Sequence, residues 1–144
     1  MSKNPLYRIR RFATTADAGI HVTAGNTADL LRGAVRGMFA YMLDIARIPS
    51  RGLSSIKASA DDSEELPIAF LNELLFIFAS QGRVPLEFPQ LHVTQNKVTG
   101  TMSWGRLDPA RDKLGVEVKA ATYSLYRWER TTDGRQRLRV VFDL

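Results

Sequence analysis

Cysteine is absent from the chain. That removes disulfides, thiolate metal sites and cysteine nucleophiles together, and it fits a reducing compartment. Histidine is scarce. His21 and His92 lie far apart, each inside a strand-like pattern, and a zinc site needs more ligands than these two supply. There is no H-E-x-x-H, no G-x-x-x-x-G-K-[ST] and no G-x-G-x-x-G, so neither a zinc-protease helix nor a phosphate cradle is expected. No serine sits in a nucleophile elbow. Apolar stretches are too short and interrupted to span a bilayer. The segment from Met1 to Arg11 lacks the apolar core of a signal peptide. The expected location is the cytoplasm, and conventional catalysis is hard to assemble from what remains.

What is present suits one small folded unit. The 144 residues are read as a single domain, 1–144. Apolar residues make up 44% and charged residues 24%, the balance of a globular protein with a core of its own. The formal net charge of +5 favours encounters with polyanions without saying anything about fold.

Residues Leu6 to Phe12 and Ile20 to Thr23 read as strands, with a turn around Asp17-Ala18-Gly19. Asn26 or Thr27 then offers a helix cap, with Asp29 at the positive end of the dipole. Leu31, Val35, Met38 and Met42 recur at helical spacing and predict a helix to about Ile45. Leu53 to Ala60 reads as a strand. Asp61, Asp62 and Ser63 precede a second helix over Glu64 to Ser80, with Leu71, Leu74, Leu75 and Phe78 inward, Pro67 in its first turn and Gly82 at its end. Further strands are expected over Glu87 to Thr94, Lys97 to Trp104, Gly115 to Trp128 and Arg137 to Asp143, with hairpin turns at Gln95-Asn96 and Thr132-Asp133-Gly134. Along the third of these, Val116, Val118 and Ala120 should alternate with Glu117, Lys119 and Ala121 as in a half-buried strand. Two amphipathic helices and a largely antiparallel sheet make a two-layer α+β sandwich.

Four stretches, in order and spanning nearly the whole chain, resemble the archease family. They are Thr14-Thr15-Ala16-Asp17-Ala18-Gly19-Ile20, Phe70-Leu71-Asn72-Glu73-Leu74-Leu75-Phe76-Ile77-Phe78, Leu114-Gly115-Val116-Glu117-Val118-Lys119-Ala120-Ala121-Thr122-Tyr123, and the ending Val141-Phe142-Asp143-Leu144. Archeases are accessory proteins of the RtcB-type RNA ligase, which joins tRNA halves and other RNAs ending in a 2′,3′-cyclic phosphate or 3′-phosphate. They help that ligase become guanylylated and turn over repeatedly, and they bind a divalent cation. The resemblance therefore implies a non-enzymatic factor for tRNA splicing and RNA repair. One departure stands out: Ala13 and Thr14 stand where the family usually has an acidic residue and a histidine.

The resemblance implies Asp17, Asp143 and the Leu144 carboxylate as metal ligands, with Asp29 a further candidate. If the first and last strands adjoin, these carboxyls can converge, and anionic oxygens held close together repel unless a cation lies between them. An oxygen-only set suits a hard ion, Ca²⁺ or Mg²⁺, with Ca²⁺ favoured. Solvated turn aspartates are the ordinary alternative. Glu117 and Lys119, two apart and expected on one side of a strand, read either as a solvated pair or, by the family match, as a contact for the ligase or a phosphate. Asn72 is placed to brace nearby backbone, and Glu73 to face solvent.

Arg8 and Arg10 near the start, and Arg135, Arg137 and Arg139 near the end, repeat at period two. On adjoining strands they would form a basic stripe, serving either to keep sheet edges apart or to meet RNA or an acidic protein surface. A general RNA-binding or chaperone-like module is thus the second functional reading. A small hydrolase built on Asp17, Asp143 and a metal is the third, and it lacks residues for base and oxyanion donor.

Overall fold

The structure is a computed structural model that describes residues 6–13 and 17–144. Thr14, Thr15 and Ala16, the start of the first matched stretch, lie outside the described residues. The order of elements is β1 (Tyr7–Ala13), β2 (Ala18–Ala24), α1 (Thr27–Phe39), a 3-10 turn (Ile45–Arg47), β3 (Gly52–Ser59), a second 3-10 turn (Ser63–Glu65), α2 (Leu66–Gln81), β4 (Val84–Val93), β5 (Lys97–Gly105), β6 (Ala120–Arg130) and β7 (Gln136–Asp143). The fold is α+β, as expected.

The strands divide into two sheets, ordered β1-β2-β7-β6 and β3-β5-β4. Every paired neighbour runs antiparallel. Helix α1 packs on β1 and β2 and reaches β4 and β7, while α2 packs on β3 and β6. One apolar core runs between them, with Ile20, Val22, Leu30, Leu31, Met38, Phe39, Phe70, Leu71, Leu74, Met102, Leu138 and Val140 in its fully enclosed part. Period two in β2 and β7 and period 3.6 in the helices send these residues to the same side.

Local chemistry explains the element ends. Asn26 is the α1 cap; its side chain accepts the Asp29 N–H at 2.8 Å. Asp62 caps the turn before α2 by accepting the Glu64 N–H, and Pro67 sits in the first turn of α2. Gly82 adopts φ +69°, the left-handed conformation that ends a helix and suits glycine. Both expected hairpin turns form. Val93 pairs with Val98 around Gln95-Asn96, and Gly134, at φ +87°, closes the turn between β6 and β7.

Three expectations need correction. Helix α1 ends at Phe39, well short of Ile45. Its apolar period does continue, and Met42, Leu43 and Ile45 are buried. However, the carbonyls of Tyr41 and Met42 accept the N–H groups of Val116 and Gly115 at 2.8 Å each, so they are withdrawn from helical pairing. The expected strand from Gly115 to Trp128 begins only at Ala120. The alternation read along it fails: Val118 is 4% exposed but Val116 is 50% exposed, and Ala121 rather than Ala120 is buried. Later in β6 the pairing with β7 slips between Thr122 and Arg127, and Leu125 in that bulge takes φ +53°. The first and last strands do not adjoin either. β2 lies between β1 and β7.

Candidate metal and partner site

Asp17 immediately precedes β2, and Asp143 ends β7. Their neighbours Ala18 and Phe142 are paired partners, so the same register sets Asp17 opposite Asp143 at one end of the four-stranded sheet. Both residues are exposed. Directly opposite residues of an antiparallel pair point to one face. β6 enters at the same end: Ala120 pairs with Asp143, and the Lys119 N–H donates to the Asp143 carbonyl at 2.8 Å. Leu144 follows Asp143. The expected residues Asp17, Lys119, Asp143 and Leu144 therefore come from three separate segments to one sheet end.

One candidate lies elsewhere, and one expected side-by-side placement fails. Asp29 lies in the first turn of α1, beyond the far end of β2, where it pairs with Arg32 at 2.9 Å and bonds to Asn26. Seven strand residues, about 20 Å of extended chain, separate it from Asp17. It is a helix-end aspartate. Glu117 and Lys119 do not face one side of a strand, because residues 115–119 precede β6 and lie outside both sheets. Both are exposed, and among the described residues neither forms an ion pair.

Residues that the sequence reading missed hold this end together. The Tyr41 hydroxyl lies 2.7 Å from the Gly19 carbonyl and 2.9 Å from the Phe12 carbonyl, sharing one proton across the β1–β2 hairpin. The Arg11 guanidinium lies 5.2 Å from the Tyr41 ring, and Phe142 meets that ring edge-on at 5.9 Å. Tyr41 was hidden by its position within an apparently continuous helix. Gly115 comes so near the Tyr41 carbonyl that a Cβ would lie 2.3 Å from it. Asn72 does brace backbone: its Oδ1 accepts the Ala121 N–H at 2.8 Å, and its Nδ2 donates to the Ala121 carbonyl at 3.1 Å. That clamp fixes β6 just after Lys119.

The donor chemistry can be tested against a metal ion. Asp17 and Asp143 offer oxygen only, and among the described residues no group of three or more histidine, cysteine or acidic side chains is placed to hold a metal ion by itself. Such a set does not suit zinc or a soft metal. Two carboxylates and a chain-end carboxylate would hold only a hard ion, and only with water filling its remaining positions.

The Archease protein family matches residues 10–144. Protein archease of Methanopyrus kandleri is 32% identical over 133 residues, covering 90% of this chain and 94% of its own. Protein archease of Danio rerio is 30% identical over 113 residues, covering 76% and 70%. In fold, the chain resembles the solution structure of Methanobacterium thermoautotrophicum protein 1598, with a TM-score of 0.76 at 23% identity, covering 98% of this chain and all of that one (100%). It also resembles the crystal structure of a Thermotoga maritima archease, described as a possible chaperone, with a TM-score of 0.65 at 20% identity and coverage of 94% and 96%. No helix among the described residues is long and apolar enough to cross a membrane. With a family match that spans nearly its whole length, this chain belongs to the Archease family.

Proposed function

We propose that the protein is an accessory factor of an RtcB-type RNA ligase, promoting its guanylylation and repeated turnover in tRNA splicing and RNA repair, and that it makes or breaks no bond itself. A divalent cation, Ca²⁺ in preference to Mg²⁺, would be held by Asp17, Asp143 and the Leu144 carboxylate. Lys119, with Glu117 beside it, would contact the ligase or a phosphate. A bound cation supplies concentrated positive charge at an exposed sheet end. The chain's own part is to hold the carboxylates together and present the Lys119 ammonium beside them.

The observation that carries this reading is the register that sets Asp17 opposite Asp143, with Lys119 bonded to the backbone of Asp143. Residues matched from distant parts of the family pattern meet at one exposed place. An exposed site of this kind suits docking on a larger partner better than enclosing a small substrate. Two carboxylates and a lysine leave a hydrolase without a separate base and oxyanion donors.

The test is ligation of a 3′-phosphate RNA by the cognate ligase, with this protein added in trace amount. Faster guanylylation and many turnovers per ligase are expected. A ligase indifferent to the protein would overturn the reading.

A further inference from the structure

The outer face of the four-stranded sheet carries far more positive charge than its surroundings balance. Across the strands, Arg10 lies opposite His21, His21 opposite Arg139, and Arg139 opposite Arg127. The next row runs Arg8, Thr23, Arg137, Glu129, and Arg135 stands just before β7, two residues ahead of Arg137. These residues line one shallow open depression of about 610 Å³. The opposite face of the sheet is the one covered by α1.

Glu129 is the only carboxylate in the rows, and it pairs with Arg127 at 3.5 Å. Arg139 donates to the Leu125 carbonyl at 2.7 Å. Among the described residues, Arg8, Arg10, Arg135 and Arg137 make no ion pair.

Keeping sheet edges apart does not account for this. Edge protection places charge on edge strands, here β1 and β6. Arg137 and Arg139 stand on β7, which is paired on both sides. Like charges set directly opposite one another destabilise a sheet, so the arrangement works against the free protein. A polyanion laid over the rows would relieve it. Arginine forks match phosphate oxygens in pairs, and successive arginines along β7 lie about 6.7 Å apart, which suits a chain of regularly spaced phosphates.

We propose that this face binds the phosphate backbone of single-stranded RNA, without regard to base sequence. That the polyanion is RNA rests on the accessory role proposed above; the charge rows themselves do not. The rows end about 13 Å, four strand residues, from the Asp17–Asp143 end, so the two surfaces are neighbours on one sheet.

The experiment measures binding of a labelled, unstructured single-stranded RNA to the protein alone, with no ligase present. Four or five phosphate contacts should weaken binding roughly fifty-fold or more between about 50 and 200 mM salt. Combined Arg8→Glu, Arg10→Glu and Arg137→Glu should weaken it about tenfold or more. All three side chains are exposed, and an unchanged melting temperature checks the fold. Lys57→Glu with Lys97→Glu, on the other sheet, should leave binding intact. Absence of binding, or equal losses in both variants, would overturn the proposal. So would intact RNA binding in the arginine variant together with lost ligase stimulation, which would assign the face to an acidic protein surface. Because no ligase enters the binding measurement, its failure would leave the accessory role standing.

Discussion

The hydroxyl of Tyr41 spans two carbonyls of the β1–β2 hairpin, so a single oxygen on the chain after α1 steadies the segment that carries Asp17. Tyr41→Phe should lower stability by about 1–2 kcal/mol in denaturant unfolding, the scale of a lost hydrogen bond plus two half-satisfied carbonyls. Gly115 acts at the same place through what it lacks. Gly115→Ala would force a Cβ against the Tyr41 carbonyl, and a cost of about 1–3 kcal/mol is expected from the crowding. His21 gives a pH signature. Burial, then the Arg10 and Arg139 charges, lower its pKa below the ordinary 6.5. The unfolded chain therefore takes up a proton that the fold resists. Stability is complete above that ordinary value and declines as the pH falls through it toward the folded one. The melting temperature of His21→Gln should change less than that of the wild type as the pH falls from about 7.5 to 5.

Elements meet at this site through backbone as much as through side chains. Asn72 lies in a helix whose pattern is otherwise strongly apolar, and both of its amide ends are engaged by Ala121. Asn72→Ala would leave a backbone donor and acceptor of β6 unpaired, at a cost of about 1–3 kcal/mol. It should also raise amide exchange in the first residues of β6 more than in β4 or β5, which hydrogen-exchange measurement can read. The expected bracing role of Asn72 is present because a polar residue interrupting an apolar helix face needs partners. The end of α1 was not legible. Its apolar period runs on through Met42 and Ile45, and only the pairing of residues 41–42 with 115–116, more than seventy positions apart, stops the helix. The bulge in β6 has no local signal either. Tyr123, Ser124, Leu125 and Tyr126 are strand-compatible, and the slip is set by the register with β7.

At the scale of the molecule, β2 lies between β1 and β7 and couples segments near the two ends of the described chain. A cation bound across Asp17 and Asp143 would bind the folded protein and not the unfolded one, so it should stabilise by mass action. Addition of Ca²⁺ should raise the melting temperature. Asp143→Asn and Asp17→Asn should each abolish that rise, and a wild type that does not respond at a saturating millimolar concentration would contradict the cation site. Lys119→Ala should keep the Ca²⁺ response and lose ligase stimulation, which separates holding the ion from meeting the partner.

Periodicity and turn chemistry in the sequence alone determined the α+β class, the capped start of α1, the two hairpin turns and most of the inward residues, because each depends on near neighbours. The four matched stretches likewise pointed to the family and to Asp17, Lys119 and Asp143. Tertiary structure decided which of these residues share a place. It excluded Asp29, set β2 between the arginine-bearing strands β1 and β7 and put their charges in rows. It also ended α1 at Phe39. Each of those outcomes depends on pairing between strands or segments distant in the chain, and local pattern carries no record of which distant carbonyl an N–H will reach.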